Sequence, residues 1–312
     1  MMWRSLLFVP VLNERLIEGA ARRDADAIVL DLEAAVPQTR KNEARAFLSE
    51  AVSHLKAGGG DIAVRINPLH LGGIDDINVS METGVELIVL PQATGTSAHQ
   101  ASKQTGAIRL IPLIESPRAL INALPIAEAS TNVVGLGLGV EDYSTKMGAP
   151  PTPELLTPAA FQVIQAARAA GCEPLVIPDT IADYTDLTRF ETATKKARAL
   201  GASGSFAIHP NQIEILNRVF MPTAEEFSEA QEIVGLAQEA SQKGDAIATR
   251  NGKMLVGPLV TRALPTLLVD NTLQISPDSH KKDFRRNLLL FYGLDTFMVP
   301  VKAPVAFLSL KR

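Results

Sequence analysis

Apolar residues in this chain come in short runs, and most of the runs stop at a charged or polar side chain. Ser5 to Pro10 (SLLFVP), Ala27 to Leu32 (AIVLDL), Ile62 to Asn67 (IAVRIN) and Leu87 to Pro91 (LIVLP) are short and almost continuously apolar. They predict strands covered on both faces, as in a parallel sheet. Two more runs lie between Arg109 and Tyr143: Ile111 to Ile114 leads into Glu115, and Val133 to Leu138 leads into Glu141 and Asp142, with a helix between them. Pro174 to Ile177 and Ser205 to His209 supply a seventh and an eighth strand. Helical spacing fills much of the remainder, over Asn13 to Arg23, Thr39 to Lys56, Ile74 to Thr83, Leu155 to Gly171 and Ala182 to Leu200. Gly58-Gly59-Gly60 closes the second of these helices, and Pro210 opens the helix after the eighth strand.

Eight strand–helix alternations with short connections predict an α/β fold, a closed (β/α)8 TIM barrel over an open sheet. The first strand–helix turn lacks the Gly-x-Gly-x-x-Gly of a dinucleotide site. Gly135, Gly137 and Gly139 recur at a spacing of two, which puts them on one strand face. There they leave room inside a barrel or, in the alternative, cradle a phosphate.

A barrel brings the ends of its strands to one rim, where barrel enzymes keep their chemistry. Asp31, Glu33, Arg65, Glu115, Asp142 and His209 all fall at predicted strand ends. A charge there needs a partner, because burying it alone is costly. Carboxylates at the ends of successive strands, Glu115 and Asp142, suit a hard divalent cation such as Mg2+, which takes one or two protein carboxylates and leaves its other positions to water and substrate. Helix caps and ion pairs are the alternative reading of the same acids.

Composition narrows the field. The 312 residues are 46% hydrophobic but only 5% aromatic, which fits an aliphatic core. A net charge of −4 gives no basic field, so nucleic acid is not an expected partner. The single cysteine, Cys172, excludes an internal disulfide framework and fits a cytoplasmic location. Leu6 to Val9 is too short for the apolar part of a signal peptide, and no run reaches the roughly 18 uninterrupted apolar residues of a membrane span. A soluble protein with no membrane partner is expected.

RSLLFVP, AIVLDLEAAVP, VRINP, PLIES, GLGLGVEDY, ALGASGSFAIHPNQI and NGKMLVGP stand in an order and spacing that resembles the citrate lyase beta-subunit-like (HpcH/HpaI aldolase/citrate lyase) family, a branch of the phosphoenolpyruvate/pyruvate-type barrels. The resemblance covers roughly Arg4 to Leu267. It implies a Mg2+-dependent carbon–carbon lyase acting on a 3-hydroxy-acyl-CoA such as malyl-CoA, citramalyl-CoA or a citryl thioester. Glu115 and Asp142 match the family's metal ligands, and Arg65 matches its substrate-gripping arginine. Asp31, Gln92 and His209 are expected to contact substrate, with Glu33 as a candidate base or, equally, a capping acid. The resemblance also implies a homo-oligomer, trimer or hexamer. Two other readings stay open: the beta subunit of a citrate lyase complex working on a carrier-bound thioester, and a CoA-ester-binding barrel that has lost turnover.

Ala34, Val11, Gln92 and Val256 depart from the family pattern, replacing an aspartate, a glycine, a lysine and an aspartate. The last of these makes thioester hydrolysis less expected than simple cleavage. The chain divides into a catalytic barrel over 1–220, a helix and hairpin region over 221–268 expected at a subunit interface, and an atypical tail over 269–312. That tail pairs a basic stretch (SPDSHKKDFRR) with an apolar one.

Overall fold

The computed structural model describes residues 3–56, 60–243, 248–250, 253–255 and 257–273. They fall into two compact units, one ending at Phe220 and one beginning at Met221.

The first unit is a parallel barrel. Its strands are β1 (Ser5–Pro10), β2 (Ala27–Asp31), β3 (Asp61–Arg65), β4 (Leu87–Leu90), β5 (Arg109–Ile114), β6 (Gly135–Leu138), β7 (Glu173–Leu175) and β8 (Ser205–Ala207). Each pairs with its neighbour in sequence, and β1 pairs with β8. Closure between β7 and β8 comes from a parallel bridge, Leu175 to Gly204, and the hydrogen bond from Val176 N–H to the Gly204 carbonyl at 3.0 Å. The helices are α1 (Glu14–Ala20), α2 (Lys41–Leu55), α3 (Gly73–Thr83), α4 (Gly95–Thr105), α5 (Pro117–Ile121), α6 (Ala123–Ala127), α7 (Val140–Met147), α8 (Pro153–Ala169), α9 (Leu187–Leu200) and α10 (Pro210–Phe220).

Strand alternation divides the core in two. Leu6, Ala27, Val29, Ala63, Leu87, Val89, Ile111, Leu113, Leu175 and Phe206 fill the bore, while Leu7, Val9, Ile28, Leu30, Val64, Ile88, Leu90, Leu110 and Ile114 pack outward with the helices. The inward series continues past the apolar residues: Ala27, Val29, then Asp31; Ala63, then Arg65; Ile111, Leu113, then Glu115. The period that packs the bore therefore also carries these charges to its carboxyl mouth. Asp31 and Arg65 are direct partners in the β2–β3 register.

Two helices lie where the apolar spacing gave no sign. α4 (GTSAHQASKQT) buries only Ala98, Ala101 and Thr105 and depends on a capping box in which Thr94 and Ser97 satisfy each other's backbone N–H groups. α7 begins immediately after Gly139, so β6 stops at Leu138 and Asp142 lies in the first turn of a helix instead of at a strand end. α1 and α5 are capped by Asn13 and Ser116, each accepting the N–H three residues on at 3.1 Å, an arrangement worth about 1 kcal/mol.

The second unit contains α11 (Ala224–Gln242), a hairpin of β9 (Ala248–Arg250) and β10 (Lys253–Leu255), and α12 (Gly257–Leu273). Ala230, Val234, Val260, Ala263, Leu264 and Leu267 form its core. Arg250 ties the hairpin to α11 through Glu229 at 2.7 Å and Glu232 at 2.8 Å. Among the described residues no helix is long and apolar enough to cross a membrane. Val256 and the tail beyond Leu273 lie outside the described residues.

Candidate active site

At the mouth, Asp31 and Arg65 form a two-pronged ion pair, Nε to Oδ1 at 2.8 Å and Nη2 to Oδ2 at 2.6 Å. Asp31 is 2% exposed and also accepts the N–H groups of Glu33 (2.9 Å) and Ala35 (3.0 Å). Both of its oxygens are thus engaged within the protein. Asp31 braces the turn after β2 and holds Arg65. The guanidinium's remaining nitrogen, Nη1, is 3.4 Å from Glu33 Oε2. Its face lies 4.4 Å from the ring centroid of Phe8.

A buried framework supports this turn from behind. Lys41 donates to the carbonyls of Leu32 and Glu33, both at 2.7 Å. Asn67 donates to the Leu32 carbonyl at 3.1 Å, and Asp76, fully buried, accepts from Asn67 N–H, Asn67 Nδ2 and Arg45 Nε, each at 2.7 Å. Burial pulls the Lys41 ammonium below its usual range, with Asp31, Asp76 and Glu33 opposing the shift.

Glu115 faces the same mouth from β5 and is 3% exposed. Its Oε2 accepts the Gln92 N–H at 2.7 Å. Gly139 makes space for it: a Cβ there would stand 2.5 Å from Glu115 Cγ and 2.9 Å from Oε1. Burial pushes the Glu115 carboxyl up to about 7; the Gln92 N–H pulls it down, Glu33 and Asp142 push it further up, and Arg65 opposes them. Glu33 is raised as well, by burial first, then by Asp31 and Asp142 against Arg65 and Lys41. Glu33, Glu115 and Asp142 therefore share one field. The cation nearest to hand, Arg65, is already committed to Asp31. Among the described residues no three His, Cys, Asp or Glu side chains close into a ligand cage. An all-oxygen set of few carboxylates with uncompensated negative charge fits a hard ion such as Mg2+, which demands little more from the protein.

The other expected residues sit around this centre. Gln92 adopts a left-handed backbone, φ 46°, and lines a cleft of about 480 Å³ with Pro68, His70, Thr94 and Ser97. His209 stacks on Tyr184 at 4.8 Å and accepts the Asn211 N–H at 3.2 Å, which puts it on the β7–β8 side of the rim. Glu141 accepts the Thr180 hydroxyl. Sequence spacing did not single out Phe8, Lys41, Asn67 or Asp76. Nor did it single out Asp179, 3% exposed beyond β7 and paired with Arg189 at 2.5 Å, although it follows the apolar run LVIP as the other acids follow theirs.

The family model for HpcH/HpaI aldolase/citrate lyase matches residues 4–210, which is the whole barrel up to the start of α10. The chain belongs to this family of carbon–carbon lyases. It is 34% identical to the citrate lyase subunit beta of Leuconostoc mesenteroides subsp. cremoris over 86% of this chain and 93% of that one. It is 28% identical to the mitochondrial citramalyl-CoA lyase of Rattus norvegicus, over 83% of each chain. The fold matches that of CitE from Mycobacterium tuberculosis in complex with magnesium, acetoacetate and coenzyme A, with a TM-score of 0.69 and 24% identity over 86% of this chain and 97% of that one.

Proposed function

We propose that this family member is a magnesium-dependent lyase that cleaves the carbon–carbon bond of a 3-hydroxy-acyl-CoA. One observation carries the reading: Glu115 is a carboxyl pushed up to about 7 by burial first and by Glu33 and Asp142 after it, at the same mouth as an arginine fixed by Asp31. Glu115 and Asp142 would hold Mg2+, which when bound lowers the pKa of a chelated hydroxyl and polarises the carbonyl that replaces it.

The chain's own groups supply the rest. Arg65, charged at every working pH, shares Nη1, which lies 3.4 Å from Glu33 Oε2, with the thioester oxygen and stabilises the negative charge that develops there. Glu33, with its pKa raised toward working pH, takes the proton of the 3-hydroxyl. As that O–H bond breaks, the C2–C3 bond breaks with it, its electron pair passes to the thioester enolate, and the keto product departs. Glu33 then returns the proton to C2, so the thioester leaves as a stable acyl-CoA.

The test is release of keto acid from malyl-, citramalyl- and citryl-CoA with and without Mg2+. Product that requires Mg2+ and disappears in folded Glu115→Ala and Asp142→Ala proteins is the expected outcome; full activity in either variant overturns the site. The 34% identity to a citrate lyase subunit beta favours a second reading, a citryl thioester on a carrier protein. Cleavage of the carrier-bound ester with none of the CoA esters would select it.

A further inference from the structure

A two-pronged bond to Asp31 fixes one edge of the Arg65 guanidinium, and the longer 3.4 Å contact of Nη1 with Glu33 Oε2 opposes rotation of its plane only weakly. Phe8 blocks that rotation. Its ring lies under the guanidinium with 4.4 Å between Cζ and the centroid, close enough for attraction between cation and π-face. Phe8 in turn lies 5.0 Å from Phe206, the rings 14° from parallel. β1 and β8 pair with Leu6 opposite Phe206, which offsets the two rings by one inward position. Phe206 is 5% exposed, and it also meets β6 at Gly137, where a Cβ would stand 2.6 Å from Leu113 Cδ2 and 2.8 Å from Phe206 Cε2. The guanidinium and the two rings thus stack in series, and the second ring touches the bare strand. Most of the bore is aliphatic, from Leu6, Val29 and Leu87 to Leu113 and Leu175, and such side chains fill space without presenting a flat face.

We infer that Phe8 and Phe206 are positioning residues that set the tilt of Arg65, so that Nη1, beside Glu33, stays turned to the substrate oxygen, and that Gly137 leaves room for the second ring next to Leu113. The inference rests on the role given to Arg65 in the proposed reaction. Phe8 acts first and Phe206 acts through it.

A double-mutant cycle tests this. Phe8→Leu should lower kcat about tenfold with KM changed less than about twofold, the loss of one desolvated cation–π contact. Phe8→Tyr keeps the ring and should restore kcat to within about twofold of wild type. In an Arg65→Lys background, Phe8→Leu should cost little more, because the group it orients is gone. An equal loss in both backgrounds, or an unchanged kcat in Phe8→Leu, overturns the inference. If Phe8→Leu fails to fold, Phe206→Leu takes its place in the cycle. A second readout does not need turnover. The Nη resonances of Arg65 should be separate in the wild-type protein and averaged in the Leu variant. A wild-type protein without Mg2+-dependent product refutes the proposed reaction alone if those resonances behave as stated; identical spectra in wild type and variant refute the positioning role.

Discussion

The Glu115 carboxylate accepts its 2.7 Å hydrogen bond from the backbone of Gln92, the only non-glycine with positive φ among the described residues. A left-handed backbone at an ordinary side chain costs about 1 kcal/mol, and such residues gather at functional sites. The N–H, not the amide side chain, does the holding. Gln92→Gly should therefore be as stable as wild type or better by up to about 1 kcal/mol, and should keep its Mg2+ affinity. Gln92→Val, whose branched side chain disfavours this conformation, should lose roughly 1–2 kcal/mol in urea denaturation. A Val variant as stable as the Gly variant would show that the backbone is not strained.

Glu115 titrates near 7 when folded, against an ordinary value of 4.5. Its raised pKa means that the unfolded chain loses this proton first as pH rises. Between about 4.5 and 7 the folded state holds a proton that the unfolded state lacks, so stability falls with rising pH, and above 7 the full penalty is present. The difference corresponds to ~3 kcal/mol. In the presence of a chelator, Glu115→Gln should become progressively more stable than wild type from pH 5 to pH 8. Saturating Mg2+ at pH 8 should restore the wild type, since a ligand bound only by the folded state stabilises it. A pH-independent difference between the two proteins would contradict this assignment.

Removing one partner of the Asp31–Arg65 pair strands the other in a dry setting. Asp31→Ala also removes the acceptor for two backbone N–H groups of the β2 turn. A loss of about 3–5 kcal/mol is expected by denaturant titration. Glu33→Gln, which keeps the Asp31–Arg65 bond, should unfold within about 1 kcal/mol of wild type while losing turnover.

Gly139→Ala adds a methyl group 2.5 Å from Glu115 Cγ. The carboxylate must shift, and Mg2+ affinity measured by calorimetry should fall roughly 10–100-fold, the usual effect of disturbing what orients a metal ligand. Gly148→Ala, which meets nothing within 4 Å but holds φ 68°, should lose stability and keep its Mg2+ affinity.

The barrel and half of its mouth were legible because one rule serves both. A period of two assigns Leu6, Val29 and Leu113 to the bore, and the same count carries Asp31, Arg65 and Glu115 to its end. Asp142 was singled out by the same count but at a strand end, because VEDYSTKM begins a helix without an apolar run to announce it. α4 escaped for the same reason, its buried face being two alanines and a threonine. Lys41, Asn67 and Asp76 carry no local signal, since their meaning lies in contacts between elements far apart in sequence. Phe8 stands in an apolar run like its neighbours, and only the guanidinium of Arg65 over its ring sets it apart.

β6 and the residue just past its end present glycine at positions 135, 137 and 139, and each hydrogen atom there borders a different neighbour: Leu175 and Ile111, then Leu113 and Phe206, then Glu115. The strand thus acts as a smooth inner wall against which the other staves set their depth. A single methyl group anywhere along it would be felt at packing, aromatic column or carboxylate in turn, so variation in what this enzyme accepts has to come from the loops and not from the wall.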